Sequence, residues 1–108
     1  MAQGVGGGLF EEIVYDGQGQ LLSGTLMDYV VPRADDLPWI DCVHLEYPSP
    51  RNPLGAKGLG EGGAISPPAA IANAIDDALA PLGVRLTATP ALPARVRELI
   101  ERARRKSS

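Results

Sequence analysis

Pro53-Leu54-Gly55-Ala56-Lys57-Gly58-Leu59-Gly60-Glu61-Gly62-Gly63 is the stretch on which the reading of this chain turns. Five of its eleven residues are glycine, and Lys57 and Glu61 are its only charged side chains. With so little bulk to pack, the glycines serve backbone freedom or the close approach of something large to the main chain. A carboxylate in such a loop faces whatever approaches. Ser66-Pro67-Pro68 then opens an alanine-rich segment, and a helix start offers unpaired N–H groups and a positive dipole end to an anion. The stretch therefore reads as a site.

Outward toward the C-terminus the periodicity is helical. Ser66 is expected as N-cap and Pro67 at the first helical position, with Ile71, Ile75, Ala78 or Leu79, and Leu82 on one face. Pro81 and Gly83 end that helix. Val84 to Thr87 suits a short edge strand, and Pro93 starts a last helix with Val96, Leu99 and Ile100 apolar. Six of the ten basic residues lie between Arg95 and Lys106. They are either the solvated end of a helix, where cations suit the dipole, or a docking surface for an acidic partner.

Toward the N-terminus, Pro48 to Pro53 is a stiff loop with three prolines, preceded by Ile40 to Tyr47, whose imperfect alternation is the best strand signal in the chain. Val31-Pro32 to Pro38 is a polar connection, Gln20 to Leu22 a possible strand start, and Tyr15-Asp16-Gly17-Gln18-Gly19 a turn. Met1 to Tyr15 reads as an amphipathic helix with Leu9 and Ile13 on one side and Glu11 and Glu12 on the other. Gly4, Gly6, Gly7 and Gly8 oppose it, each by up to about 1 kcal/mol relative to alanine. Such a helix must pack closely against another element. These readings give an α+β fold: a short mixed sheet, an N-terminal helix, a central helix after the glycine loop and a C-terminal helix.

The chain has 108 residues, 44% of them hydrophobic, with 13 glycines and 10 prolines. That suits one small loop-rich unit that would bury roughly two-thirds of its unfolded surface. Cys42, the single cysteine, excludes an internal disulfide and a cysteine-only metal cage, and is expected to be a small buried hydrophobe. A net charge of −3 argues against a nucleic-acid partner. No stretch reaches the length of a membrane span and no charged leader opens the chain, so a cytoplasmic location with no membrane partner is expected.

Known motifs narrow the chemistry. Gly58-Leu59-Gly60-Glu61-Gly62-Gly63 formally fits G-x-G-x-x-G, but a proline-rich loop precedes it, Asp76 and Asp77 fall inside the following helix, and Glu61 would oppose a pyrophosphate. The Walker pattern fails because glycine follows Lys57. His44 stands alone and reads as a packed or half-exposed strand residue. Glu61 is then either a solvated turn residue or a general base that takes a proton from an attacking water. Lys57 is a surface charge or a contact to an anionic cofactor.

Lys57-Gly58-Leu59-Gly60-Glu61 closely resembles the K-G-x-G-E segment of the molybdenum-binding large subunit of the xanthine dehydrogenase, aldehyde oxidase and aerobic carbon monoxide dehydrogenase family. Ala2-Gln3-Gly4-Val5-Gly6 through Phe10-Glu11-Glu12 resembles that family's A-Q-G-x-G helix with its acidic pair, and Thr25 to Tyr29 its T-x-x-x-Y segment. Pro67 to Val84 resembles the helix after its catalytic loop. The resemblance extends to about residue 97 and is most specific from Tyr47 to Gly83.

It implies that residues 1–108 are an incomplete C-terminal portion of a molybdopterin-binding domain. Glu61 would be the base that activates water or hydroxyl beside the molybdenum without ligating it. Lys57, Gly58 and Gly60 would touch the pterin, expected in its cytosine dinucleotide form. FAD and 2Fe–2S clusters would sit on partner subunits, and the remainder of the large subunit on other polypeptide. The substrate implied is an aldehyde, N-heterocycle or similar electron-poor carbon. Upstream cofactor-holding segments and the cysteine loop of carbon monoxide dehydrogenases are absent, so the chain is expected to hold half a cleft. The alternative is a non-catalytic module whose glycine loop binds a nucleotide or phosphate.

Overall fold

A computed structural model describes residues 1–106. The first helix, α1 (Ala2–Leu9), carries four glycines in eight residues. Helix α2 (Ser66–Leu79) shows why they are tolerated. Gly4 and Gly8, one turn apart on the same face, lie against the start of α2. A Cβ on Gly4 would stand 2.7 Å from Pro67 Cγ and 3.1 Å from the Ala64 carbonyl oxygen. One on Gly8 would stand 3.3 Å from both Ile71 Cδ1 and Pro68 Cα. The close packing demanded by the glycines is thus supplied within the chain itself.

The helix stops earlier than its periodicity suggests. Phe10 and Glu11 N–H groups both donate to the Gly6 carbonyl at 2.8 Å, and the chain then turns away. The Leu9 turn is closed from outside by Ala91, whose N–H donates to the Gly8 carbonyl at 2.7 Å. Ala91 is buried together with Leu79 and Val84, and these few residues form the core.

Pro81 and Gly83 end α2 as expected. The helix tightens into a 3-10 turn at Ala80–Leu82 and closes at Gly83, φ +66°, a left-handed position that suits a residue without Cβ. Ser66, expected as N-cap, is instead the first helical residue: Ile65 occupies the cap position, and no side chain caps the helix. Helix α3 (Pro93–Lys106) begins where proline predicts and is laced by Arg97–Glu101 and Arg102–Glu98 pairs at i, i+4 spacing.

The expected mixed sheet is not there. Among the described residues the structure has three α-helices and two 3-10 turns, at Ala34–Asp36 and Ala80–Leu82, and no strand. The turn at Tyr15 to Gly19 forms, but pairing beyond it is limited to one antiparallel bridge between Tyr15 and Leu21. Residues 40–47 and 84–87 are without secondary structure. The physical reason is that a strand exists only through a second strand's hydrogen bonds. Alternating side chains report a preference for a half-buried pleated surface; they do not supply the partner. Cys42, expected inside, is exposed on this same segment.

The chain is also open. Its accessible surface is 8747 Å², whereas a self-contained protein of its mass would expose about 5,700 Å². Its radius of gyration is 18.3 Å, against about 13 Å for a compact domain of this length. No helix among the described residues is long and apolar enough to cross a membrane.

Candidate active site

The glycine stretch is clamped at its base and bare at its tip. Gly55 accepts a bond from Ser49 N–H at 2.9 Å, and its own N–H donates to Asn52 at 3.1 Å. The Asn52 amide closes the same turn twice, accepting from Ala56 N–H at 2.9 Å and donating to its carbonyl at 3.0 Å. Gly55 sits at φ +64°, and a Cβ there would lie 2.7 Å from Pro48 Cβ, so any other residue would strain this turn. Beyond it, a Cβ on Gly58 or Gly60 would meet nothing within 4 Å. The main chain there is uncovered.

Glu61 lies in the turn that leads into α2. Its carbonyl accepts from Ala64 N–H at 2.8 Å and from Ile65 N–H at 3.1 Å, so the backbone is fixed one turn before the helix. Its side chain is exposed and, among the described residues, has no hydrogen-bond or ion-pair partner. Lys57 is exposed too, with Nζ 4.9 Å from the centre of the Tyr47 ring, a cation–π contact. The structure thus puts Lys57, Gly58, Gly60 and Glu61 on one short uncovered segment. Pro67 and Pro68 carry no N–H, so two of the four orphan donors expected at the start of α2 are missing.

The same turn meets the N-terminus. A Cβ on Gly63 would lie 2.7 Å from the Met1 nitrogen, so the start of α1 abuts the residue two beyond Glu61. Between α1 and α2 opens an apolar cavity of about 390 Å³ lined by Met1, Val5, Ile40, Gly63, Pro67 and Ile71.

The acidic pair after α1 is spent on structure. Tyr29 Oη donates to Glu11 at 2.5 Å, joining the two segments. That hydrogen bond, with lesser help from burial and from the Glu11 charge, holds the Tyr29 phenol above its ordinary range. Glu12 pairs with Arg95 at 2.5 Å, and Arg95 also donates to the Pro90 carbonyl, tying α3 to the end of α1. Sequence reasoning named the acids and missed their partners. The signal was available: two carboxylates at a helix C-terminus oppose its dipole and need compensation. Asp76 is likewise committed. It accepts from Leu86 N–H at 2.7 Å and from Arg85 at 3.1 Å, and these bonds, Leu86 first, hold its carboxyl below the usual range. His44 is exposed and remote in role from any cluster; among the described residues no group of metal-ligating side chains is present.

Comparison with known proteins gives this geometry its class. Residues 1–38 match the model of the molybdopterin cofactor-binding domain. The chain is 48% identical over 95 residues to the gamma subunit of the 6-hydroxypseudooxynicotine dehydrogenase complex of Paenarthrobacter nicotinovorans, covering 87% of this chain and 12% of that protein. It is 45% identical over 96 residues to the nicotine 6-hydroxylase large subunit of the same organism, covering 89% and 12%. Among solved structures, quinoline 2-oxidoreductase from Pseudomonas putida 86 superposes with a TM-score of 0.86 at 48% identity, over 93% of this chain and 13% of that one. The chain belongs to the family of molybdopterin-binding large subunits that includes xanthine dehydrogenase, aldehyde oxidase and carbon monoxide dehydrogenase. It spans about one-eighth of the length of the relatives it matches.

Proposed function

We propose that this chain is the C-terminal portion of a molybdenum hydroxylase large subunit, and that Glu61 is the enzyme's general base. The whole enzyme would use water to hydroxylate an N-heterocycle, an aldehyde or a similarly electron-poor carbon. The nicotine- and quinoline-directed relatives favour the heterocycle within that class. The observation that carries the reading is the exposed carboxylate of Glu61, unpartnered among the described residues, on a turn whose backbone is fixed and whose neighbours offer no bulk.

The residues fit the cofactor's chemistry. An anionic pterin needs a cation and a main chain it can approach, and Lys57, Gly58 and Gly60 supply both. These three would contact molybdopterin, in its cytosine dinucleotide form, from one side only; the remainder of the subunit supplies the other. When bound, the molybdenum centre supplies the acceptor for the two electrons of the oxidation. The balance is substrate C–H plus water giving C–OH, two protons and two electrons. Glu61 takes a proton from the attacking water or hydroxyl, which makes that oxygen nucleophilic at the moment of attack. The 2Fe–2S clusters and FAD that would take up those electrons would be held by partner subunits.

The alternative of a nucleotide- or phosphate-binding module has less support. Two prolines remove donors from the helix start, and Asp76 is held by Arg85 and Leu86. Its signature would be a stable monomer that binds ATP or NAD.

The test is a graft. Replacing the matching segment of the Pseudomonas putida quinoline 2-oxidoreductase with this chain is expected to give an enzyme that retains molybdenum and pterin and turns over. Acid hydrolysis of its cofactor should release cytidine monophosphate. A graft that folds without cofactor, while the isolated chain binds nucleotide, contradicts the proposal.

A further inference from the structure

We infer that Asn52 and Tyr47 are positioning residues that act through Lys57, one holding its main chain and the other its ammonium, so that its charge meets the pterin from a fixed place; the inference rests on the proposed function. Lys57 needs such help. Its charge sits on a long flexible stem, and among the described residues no hydrogen bond reaches the main chain of Lys57, Gly58 or Gly60. Without a tether the segment would swing.

The tether lies upstream. The peptide plane between Gly55 and Ala56 is held at both edges: Ser49 N–H donates to the Gly55 carbonyl at 2.9 Å, and Ala56 N–H to Asn52 Oδ1 at 2.9 Å. The next plane, joining Ala56 to Lys57, is held by Asn52 Nδ2, which donates to the Ala56 carbonyl at 3.0 Å. One carboxamide thus fixes two successive planes, and with them the direction in which the chain enters Lys57. The next main-chain restraint comes only at Gly62, whose N–H donates to the Leu59 carbonyl at 3.2 Å.

Tyr47 holds the other end. Its ring, 4.9 Å from Lys57 Nζ, is the only partner of that ammonium among the described residues. A ring attracts a cation without supplying a formal negative charge, so the charge of Lys57 stays available to an anion. Glu61, four residues on, does not pair with Lys57, and the two charges are left for separate work. Glu61 takes its backbone position from the turn into α2, so the hold on Lys57 and the placing of the base are independent.

A double-mutant cycle in the graft tests this, read as the rate of pterin release in mild guanidinium, followed by pterin fluorescence. Asn52→Ala should speed release about tenfold or more. Tyr47→Leu should speed it about threefold, and Tyr47→Phe, which keeps a ring, should restore most of the loss. Turnover per bound molybdenum should stay within about twofold in all three. In a Lys57→Met background the Asn52 and Tyr47 substitutions should add almost nothing, because the group they act through is gone. Arg95→Ala, away from the loop, should leave release unchanged. Effects that add in full to that of Lys57→Met overturn the inference alone, as does unchanged release in both Asn52→Ala and Tyr47→Leu. A parent graft that takes up no cofactor instead defeats the proposed function, and the inference with it.

Discussion

The α1–α2 contact and the segment from Ile40 to Glu61 are opposites. In the first, glycine removes side chains so that two helices of this chain can touch, and a single methyl group would collide with Pro67. In the second, glycine removes side chains and nothing of this chain fills the space: Gly58 and Gly60 look onto open surroundings, and Val43, Leu45 and Tyr47 are uncovered. The same residue type therefore marks a completed contact in one place and an uncovered main chain in the other. What separates them is the neighbour, which this chain supplies for Gly4 and Gly8 and does not supply for Gly58 and Gly60.

That contrast can be broken by adding methyl groups. Gly4→Ala should destabilise the α1–α2 pair by about 1–3 kcal/mol through overpacking, although alanine is the better helix former. Gly7→Ala, whose Cβ would meet nothing within 4 Å, should instead stabilise it by up to about 1 kcal/mol. Thermal unfolding of the grafted enzyme checks both, and equal effects would show that α1 does not rest on α2. Arg95→Ala removes the tie between α3 and Glu12; a half-exposed pair of this kind is worth about 1 kcal/mol, and the melting temperature should fall only slightly.

The smallest effect concerns pH. Asp76 has its folded carboxyl below its unfolded value, so its contribution is present above the unfolded value of 3.8 and is lost as pH falls through the lower folded value. Asp76→Asn should therefore narrow the difference in unfolding midpoint between pH 6 and pH 3. Tyr29 has the opposite sign: its raised phenol contributes fully below its unfolded value of 10.0 and loses that contribution as pH rises through the higher folded value.

The helices were legible because their signals are local. Pro93 at the start of α3, and Pro81 with Gly83 at the end of α2, act through φ restriction, a missing N–H and a left-handed backbone. The early stop of α1 was not legible, since Glu11 and Glu12 are drawn off by Tyr29 and Arg95, residues distant in sequence. The sheet was misread at Ile40 to Tyr47 for a related reason: the side-chain pattern is present and the pairing partner is not. Cys42 followed that segment to the surface. Among the candidate site residues, the run from Lys57 to Glu61 could be read as one bare segment, because contiguity in sequence places its members together. On the proposed function, what faces that segment would belong to the rest of the large subunit.

The most direct measurement is the turnover of the grafted enzyme carrying Glu61→Gln, with molybdenum content determined on the same sample. Molybdenum should be unchanged while turnover falls by about 10²–10⁴-fold or more, the usual consequence of losing a positioned base. Turnover within about twofold of the parent graft, at full molybdenum occupancy, would remove Glu61 from that role and leave the glycine stretch without its chemistry.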